Sequence, residues 1–125
     1  MQTWILWQRL EGALVFGAGV ALYLMLGAGM AWWWAVLWFF LPDLSFAAYG
    51  AGRRVGAWVY NLWHLYGLGA LIMALGIGLA DTIVFSVGAL WLAHAGFDRM
   101  LGYGLKSTVS FQDTHLGPIG HQRER

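Results

Sequence analysis

Charge is too scarce in this chain to clothe a folded domain in water. Asp, Glu, Lys and Arg make up 10% of the 125 residues and hydrophobic residues 60%, whereas an ordinary soluble domain carries about 25% charged residues. A single small domain leaves much of its surface outside, and here that surface has to be apolar. The surroundings that accept it are a lipid bilayer, so the chain reads as an integral membrane protein. A disordered tail, a basic nucleic-acid module and a conventional soluble enzyme are excluded. The net charge of +1 points to no acidic partner. The absence of cysteine excludes disulfides, thiolate metal sites and cysteine nucleophiles.

Apolar segments and breakers divide the chain into four expected spans. Trp4 to Leu26 holds 23 residues, about 34 Å as a helix, enough to cross. It lacks a basic start and carries Glu11, so it reads as a retained helix rather than a cleavable signal peptide. Gly27-Ala28-Gly29 ends it. Met30 to Leu41 is too short alone, so the second span runs on to Tyr49 as a helix kinked or broken at Pro42-Asp43. Val55 to Ala80 is the third span. Asp81 is placed to cap the fourth, Thr82 to Leu101, which Gly102 and Gly104 close. The expectation is an all-α, four-helix membrane bundle over residues 1–105 with a polar tail over 106–125. Ala13, Gly17 and Ala21 form a small-residue stripe suited to close helix approach, within the chain or between copies.

With four spans, Arg9, Arg53, Arg54, Arg99, Lys106, Arg123 and Arg125 all fall on one side. The positive-inside rule makes that side, with both termini, cytoplasmic. Trp32, Trp33 and Trp34 then mark the outer interface, and Trp4, Trp7 and Trp58 the inner one. Lys106, after the glycines, reads as an interfacial anchor. His121 and the final Arg-Glu-Arg read as a solvated terminus.

Buried polar residues are costly in hydrocarbon, so their placement is informative. Glu11, Asp43, Tyr60, Asn61, His64, His94 and Asp98 all fall in the inner halves of their spans. His94 and Asp98 are spaced i,i+4, as are Tyr60 and His64, so each pair shares a helix face. Two facing helices can present both imidazoles and the carboxylates to one cytoplasm-facing cavity. Imidazole with carboxylate suits Zn²⁺, Mn²⁺ or non-haem Fe²⁺. His64, His94 and Asp98 are the expected ligands, with Asp43 or His115 completing the set and Tyr60 and Asn61 in support. Glu11 and Asp43 are the candidates for acid–base work. The plain alternative gives each of these residues a structural job, as a helix cap, an interhelical hydrogen bond or a headgroup contact.

Several motifs then carry a resemblance. Leu41-Pro42-Asp43-Leu44-Ser45, Tyr60-Asn61 with His64, Trp91-Leu92-Ala93-His94, Gly96-Phe97-Asp98-Arg99, Leu101-Gly102-Tyr103-Gly104-Leu105-Lys106 and Asp113-Thr114-His115-Leu116-Gly117 together resemble the small bacterial integral membrane proteins grouped as domain-of-unknown-function family 4260. The resemblance covers about residues 7–120. It implies the membrane fold and a bacterial plasma-membrane location, singles out Asp113-Thr114-His115, and supplies no activity. The functional expectation is a metal-dependent hydrolase acting on a lipid or amphiphile. A small transporter, a b-type haem protein with His64 and His94 as axial ligands, and a non-catalytic subunit of a membrane complex are the other classes. The bilayer is the expected partner, a homo-oligomer is open, and no nucleic acid is expected.

Overall fold

The computed structural model describes residues 2–108, 112–117 and 119; Phe111, His121, Arg123 and Arg125 lie outside them. The elements are α1 (Thr3–Leu26), α2 (Trp32–Phe40), a 3-10 helix (Leu41–Ala51), α3 (Arg53–Trp63), α4 (Tyr66–Gly78) and α5 (Thr82–Leu101). No strand occurs among the described residues, only an isolated bridge between Lys106 and Thr114. The all-α class is as expected. Thr3–Leu26 and Trp32–Ala51 are each long and apolar enough to cross a membrane. The pair α3–α4 makes a third such segment if it is taken as one span.

The residues are distributed as a bilayer requires. Trp4, Trp7, Leu14, Leu24, Met25, Trp32 and Trp58 lie exposed, while the interior holds glycine, alanine and serine together with His64, His94, Arg99 and Lys106. Large apolar side chains face outward because lipid is as good a solvent for them as protein.

Helix α5 is the hub. Eleven of its residues are buried, and α1, α2 and α4 all pack on it. Glycines set the spacing. A Cβ at Gly19 would stand 2.8 Å from the Ala89 carbonyl oxygen and the Ala93 amide, and one at Gly12 2.8 Å from the Gly96 carbonyl oxygen. On the other side Gly69 meets Leu92, and Gly88 meets Met73 at 2.4 Å. These pairings run α1 and α4 antiparallel to α5. The small-residue seam of α1 is therefore Gly12 with Gly19, not the expected Ala13–Gly17–Ala21 stripe. Gly17 and Ala21 are exposed, and a Cβ on Gly17 would meet nothing.

The second expected span breaks where anticipated. Pro42 has no N–H to give the helix and its ring crowds the preceding turn, so α2 stops at Phe40 and the chain tightens into 3-10 geometry. Asp81 caps α5 as expected, its Oδ1 accepting from the amides of Ile83 (2.9 Å) and Val84 (3.1 Å). Gly102, at φ +95°, closes the helix in the left-handed conformation.

The third expected span, Val55 to Ala80, is not one helix. It bends by 49° between α3 and α4, with no proline or glycine at His64-Leu65. The cause lies on α5. Trp91 Nε1 donates to the Trp63 carbonyl (2.7 Å) and Arg99 Nη2 to the His64 carbonyl (3.1 Å). Side chains thus occupy the acceptors that a continuous helix would use four residues on. The Arg99 guanidinium also sits 5.3 Å from the Tyr66 ring centroid, at the start of α4.

Candidate metal centre

That break delivers His64. Its Nδ1–H donates to the Tyr60 carbonyl (2.8 Å), and its ring stacks on Tyr60 with centroids 3.9 Å apart and planes at 16°. With Nδ1 committed as a donor, Nε2 turns a lone pair inward. His94 approaches from α5 and is 1% exposed. Phe39 and Phe40 wall its ring edge-on at 5.3 and 6.1 Å. Its Nδ1 has no hydrogen-bond partner among the described residues, so its polar contacts all come from the Nε2 side.

Two carboxylates meet these nitrogens. Asp98, one turn beyond His94, has Oδ2 3.2 Å from His64 Nε2 and 3.3 Å from His94 Nε2. Asp43, from the 3-10 helix, has Oδ1 3.1 Å from His94 Nε2 and 3.5 Å from His64 Nε2. The two imidazole nitrogens are 3.3 Å apart. One donor atom from each residue lies within 4.8 Å of all the others, and the group could hold a metal ion.

The spacing fits a specific kind of ion. Tetrahedral bonds of about 2.0–2.1 Å to nitrogen and oxygen require donor–donor edges of about 3.3–3.4 Å. Five edges of the tetrad measure 3.1 to 3.5 Å. Four converging lone-pair donors repel one another unless a cation or a proton sits among them. The same spacing removes the haem alternative. A macrocycle has no slot between nitrogens 3.3 Å apart that also touch two carboxylates.

The tetrad opens on one side. The Asp43 side chain is 38% exposed and Asp98 15%, against 2% and 1% for the histidines. Both carboxylates line a cavity of about 490 Å³, together with Phe46, Tyr60, Tyr103, Lys106, Gln112 and Ile119.

Other expected residues are placed elsewhere. Glu11 is exposed on α1 and is not part of the tetrad. Its helix turns the buried Gly12 toward α5 and leaves Glu11 on the outer face. His115 is also outside the tetrad. Its Nδ1 accepts from the Leu105 amide (2.8 Å) while its own amide donates to the Leu105 carbonyl (3.0 Å). Burial, with Arg99 acting in the same direction, lowers its pKa and so keeps that nitrogen free to accept. Asn61 faces the tail, not the tetrad. Its Oδ1 accepts from the Lys106 amide (2.6 Å) and its Nδ2 donates to the Lys106 carbonyl (2.8 Å).

Lys106 is the residue that sequence reasoning misplaced. It is 5% exposed rather than an anchor at the headgroups, with Nζ 4.8 Å from the Tyr60 ring centroid. Burial lowers its pKa from the ordinary 10.5 to about 8, against the opposing pull of Asp98. Arg99, counted among the basic residues of the inner side, is buried as well, at 5% exposure. A lone basic residue beside glycines carries no signal of burial; only the return of the tail onto Asn61 creates it.

A family model described as Domain of unknown function (DUF4260) matches residues 5–119. No curated protein and no solved structure matches the chain.

Proposed function

The chain belongs to that family of unknown function, so membership supplies no activity, and we propose from the tetrad that this is a metal-dependent membrane hydrolase acting on a lipid or amphiphile. The observation that carries the reading is the convergence of His64, His94, Asp98 and Asp43 at tetrahedral spacing on the wall of an open cavity. A closed four-ligand site buries all its ligands; a catalytic one keeps a position open to water. The exposure of Asp43 speaks for the second. His64, His94 and Asp98 form the firm part of the shell. Asp43, at the cavity mouth, is the carboxylate able to turn aside and take a proton from water. A divalent ion of the Zn²⁺, Mn²⁺ or Fe²⁺ class supplies a water acidic enough to act as nucleophile near neutral pH. The Phe39 and Phe40 walls keep bulk water away from His94. In this reading α5 is a fourth crossing, both ends of the chain are cytoplasmic, the membrane is the bacterial plasma membrane, and the cavity opens inward.

The test is elemental analysis of protein purified in detergent without chelators or a polyhistidine tag. Near-stoichiometric zinc, manganese or iron that is lost in His94→Ala, with helicity retained, supports the reading. Absence of metal from a folded wild-type protein, after incubation with each ion in turn, refutes it.

A further inference from the structure

Lys106 lines two cavities, one with the carboxylates of the tetrad on its wall and one without an acidic group. One is the polar cavity of the tetrad. The other, of about 540 Å³, is lined by Trp58, Leu62 and Leu65 with Asn61, Lys106, Ser107 and Thr108. Trp58, Leu62 and Leu65 are all exposed and apolar. A molecule lying across Lys106 meets an apolar wall on one side and the tetrad on the other. That is the outline of an amphiphile, with its chain against α3 and its polar head beside the candidate metal.

The main chain at the lysine is held in place from two sides. The Asn61 carboxamide grips both its amide and its carbonyl. The Lys106–Thr114 bridge fixes the same stretch from the other side, and the Ser107 amide donates to the Asp113 carbonyl (2.8 Å). A long, strongly hydrated side chain loses much rotamer freedom when buried. Its location on a cavity wall is therefore a costly arrangement that a surface anchor does not need.

Charge gives the sign of the head. With both histidines neutral, as metal ligation requires, Asp43 and Asp98 with Lys106 leave the polar cavity with one net negative charge. A divalent ion in the tetrad reverses it to positive. An anion is thus attracted to the loaded cavity, where the ion and the ammonium can each take one of its oxygens. An oxyanion with several equivalent oxygens fits such a pair of flanks.

Resting on the metal-centre reading, we propose that this cavity binds the phosphate group of an amphiphile, with Lys106 as its ammonium contact. Lys106 is a binding residue in this assignment, and the specificity it confers is for anionic over neutral heads.

The test uses the full chain in nanodiscs of phosphatidylcholine, loaded with Mn²⁺ or Zn²⁺. Phosphorus-31 relaxation is followed on two probes, inorganic phosphate in solution and phosphatidic acid in the disc. In Mn²⁺-loaded wild type, the probe that binds is relaxed by the ion, and the Zn²⁺ form shows no such effect. Relaxation of phosphatidic acid supports the assignment, and relaxation of inorganic phosphate alone, which identifies a soluble phosphate, overturns it. Lys106→Gln weakens binding about tenfold or more, as loss of a charge-assisted contact implies, with metal content unchanged; Lys106→Arg retains it. Equal binding by Lys106→Gln overturns the assignment and leaves the metal centre standing. Failure to bind metal at all overturns both. If Lys106→Gln does not fold, wild type decides, because absence of relaxation on both probes in the Mn²⁺-loaded protein refutes the proposal.

Discussion

Replacing Arg99 by methionine removes a guanidinium from the one place where two broken helices and the tetrad meet. Arg99 is 5% exposed and donates to the His64 carbonyl, which at the end of α3 has no main-chain donor to replace it. Methionine keeps the stem and its packing but leaves that carbonyl buried and unpaired, at a cost of about 1–3 kcal/mol. Loss of the cation over Tyr66 adds about 0.5–2 kcal/mol. Relief of the guanidinium's own desolvation offsets part of this, so we expect a net loss of about 1–3 kcal/mol. The second effect falls on the site. His64 owes its position to the break, and loss of a group that orients a ligand weakens metal affinity about 10–100-fold. Stability is read from tryptophan fluorescence during denaturant titration in mixed micelles, and affinity from chelator competition. Arg99→Lys, which keeps a charge but not the planar fork, should fall between. If Arg99→Met matches wild type in both assays, the guanidinium does not hold the α3–α4 junction. If stability falls while metal affinity is unchanged, the junction is not what positions His64.

Three other expectations test the fold. Gly19→Ala should destabilise by about 1–3 kcal/mol, because α5 backbone meets the added methyl at 2.8 Å and cannot yield; Gly17→Ala, facing open space, should be neutral or gain up to about 1 kcal/mol, both read from unfolding midpoints. The chain has no cysteine, so single cysteines report sidedness directly. Ala31→Cys and Leu79→Cys should react with an impermeant thiol reagent in intact cells, and Ala51→Cys and Thr108→Cys only after the membrane is opened. Lys106 has a folded pKa of about 8 against an ordinary 10.5. The unfolded chain therefore binds more protons at this residue in that window, and wild type should gain stability relative to Lys106→Met as pH goes from about 8 to 10.5.

The sequence disclosed more of this site than of the packing that builds it. Scarce charge made His64, His94, Asp43 and Asp98 conspicuous, because an imidazole or carboxylate within an apolar run needs a reason to be there. The i,i+4 spacing of His94 and Asp98 was enough to put them on one face. The bend at His64 was illegible, since it comes from Trp91 and Arg99, some 28 and 35 residues away in sequence, rather than from any local breaker. The α1 seam was misread for a related reason. Small residues occur at both Gly12–Gly19 and Ala13–Gly17–Ala21, and only the partner helix decides which set is used. Glu11 and His115 had the right chemistry for the site, but one faces outward and the other is spent on tying Leu105 in place.

The hub position of α5 also sets an order of events. It is the last of the five helices to be synthesised, yet α1, α2 and α4 all pack against it and it carries half of the tetrad. Until it arrives, Gly12 and Gly19 on one side and Gly69 on the other have no surface to close upon, and Asp43 and His64 lack the partners that complete a donor set. Before that, α3 can pack on the 3-10 helix, but α1 and α4 have no partner to close upon, so the bundle as a whole completes only with the hub. A chain stopped before residue 82 has Asp43 and His64 but neither His94 nor Asp98, and so lacks half of the group that could hold an ion.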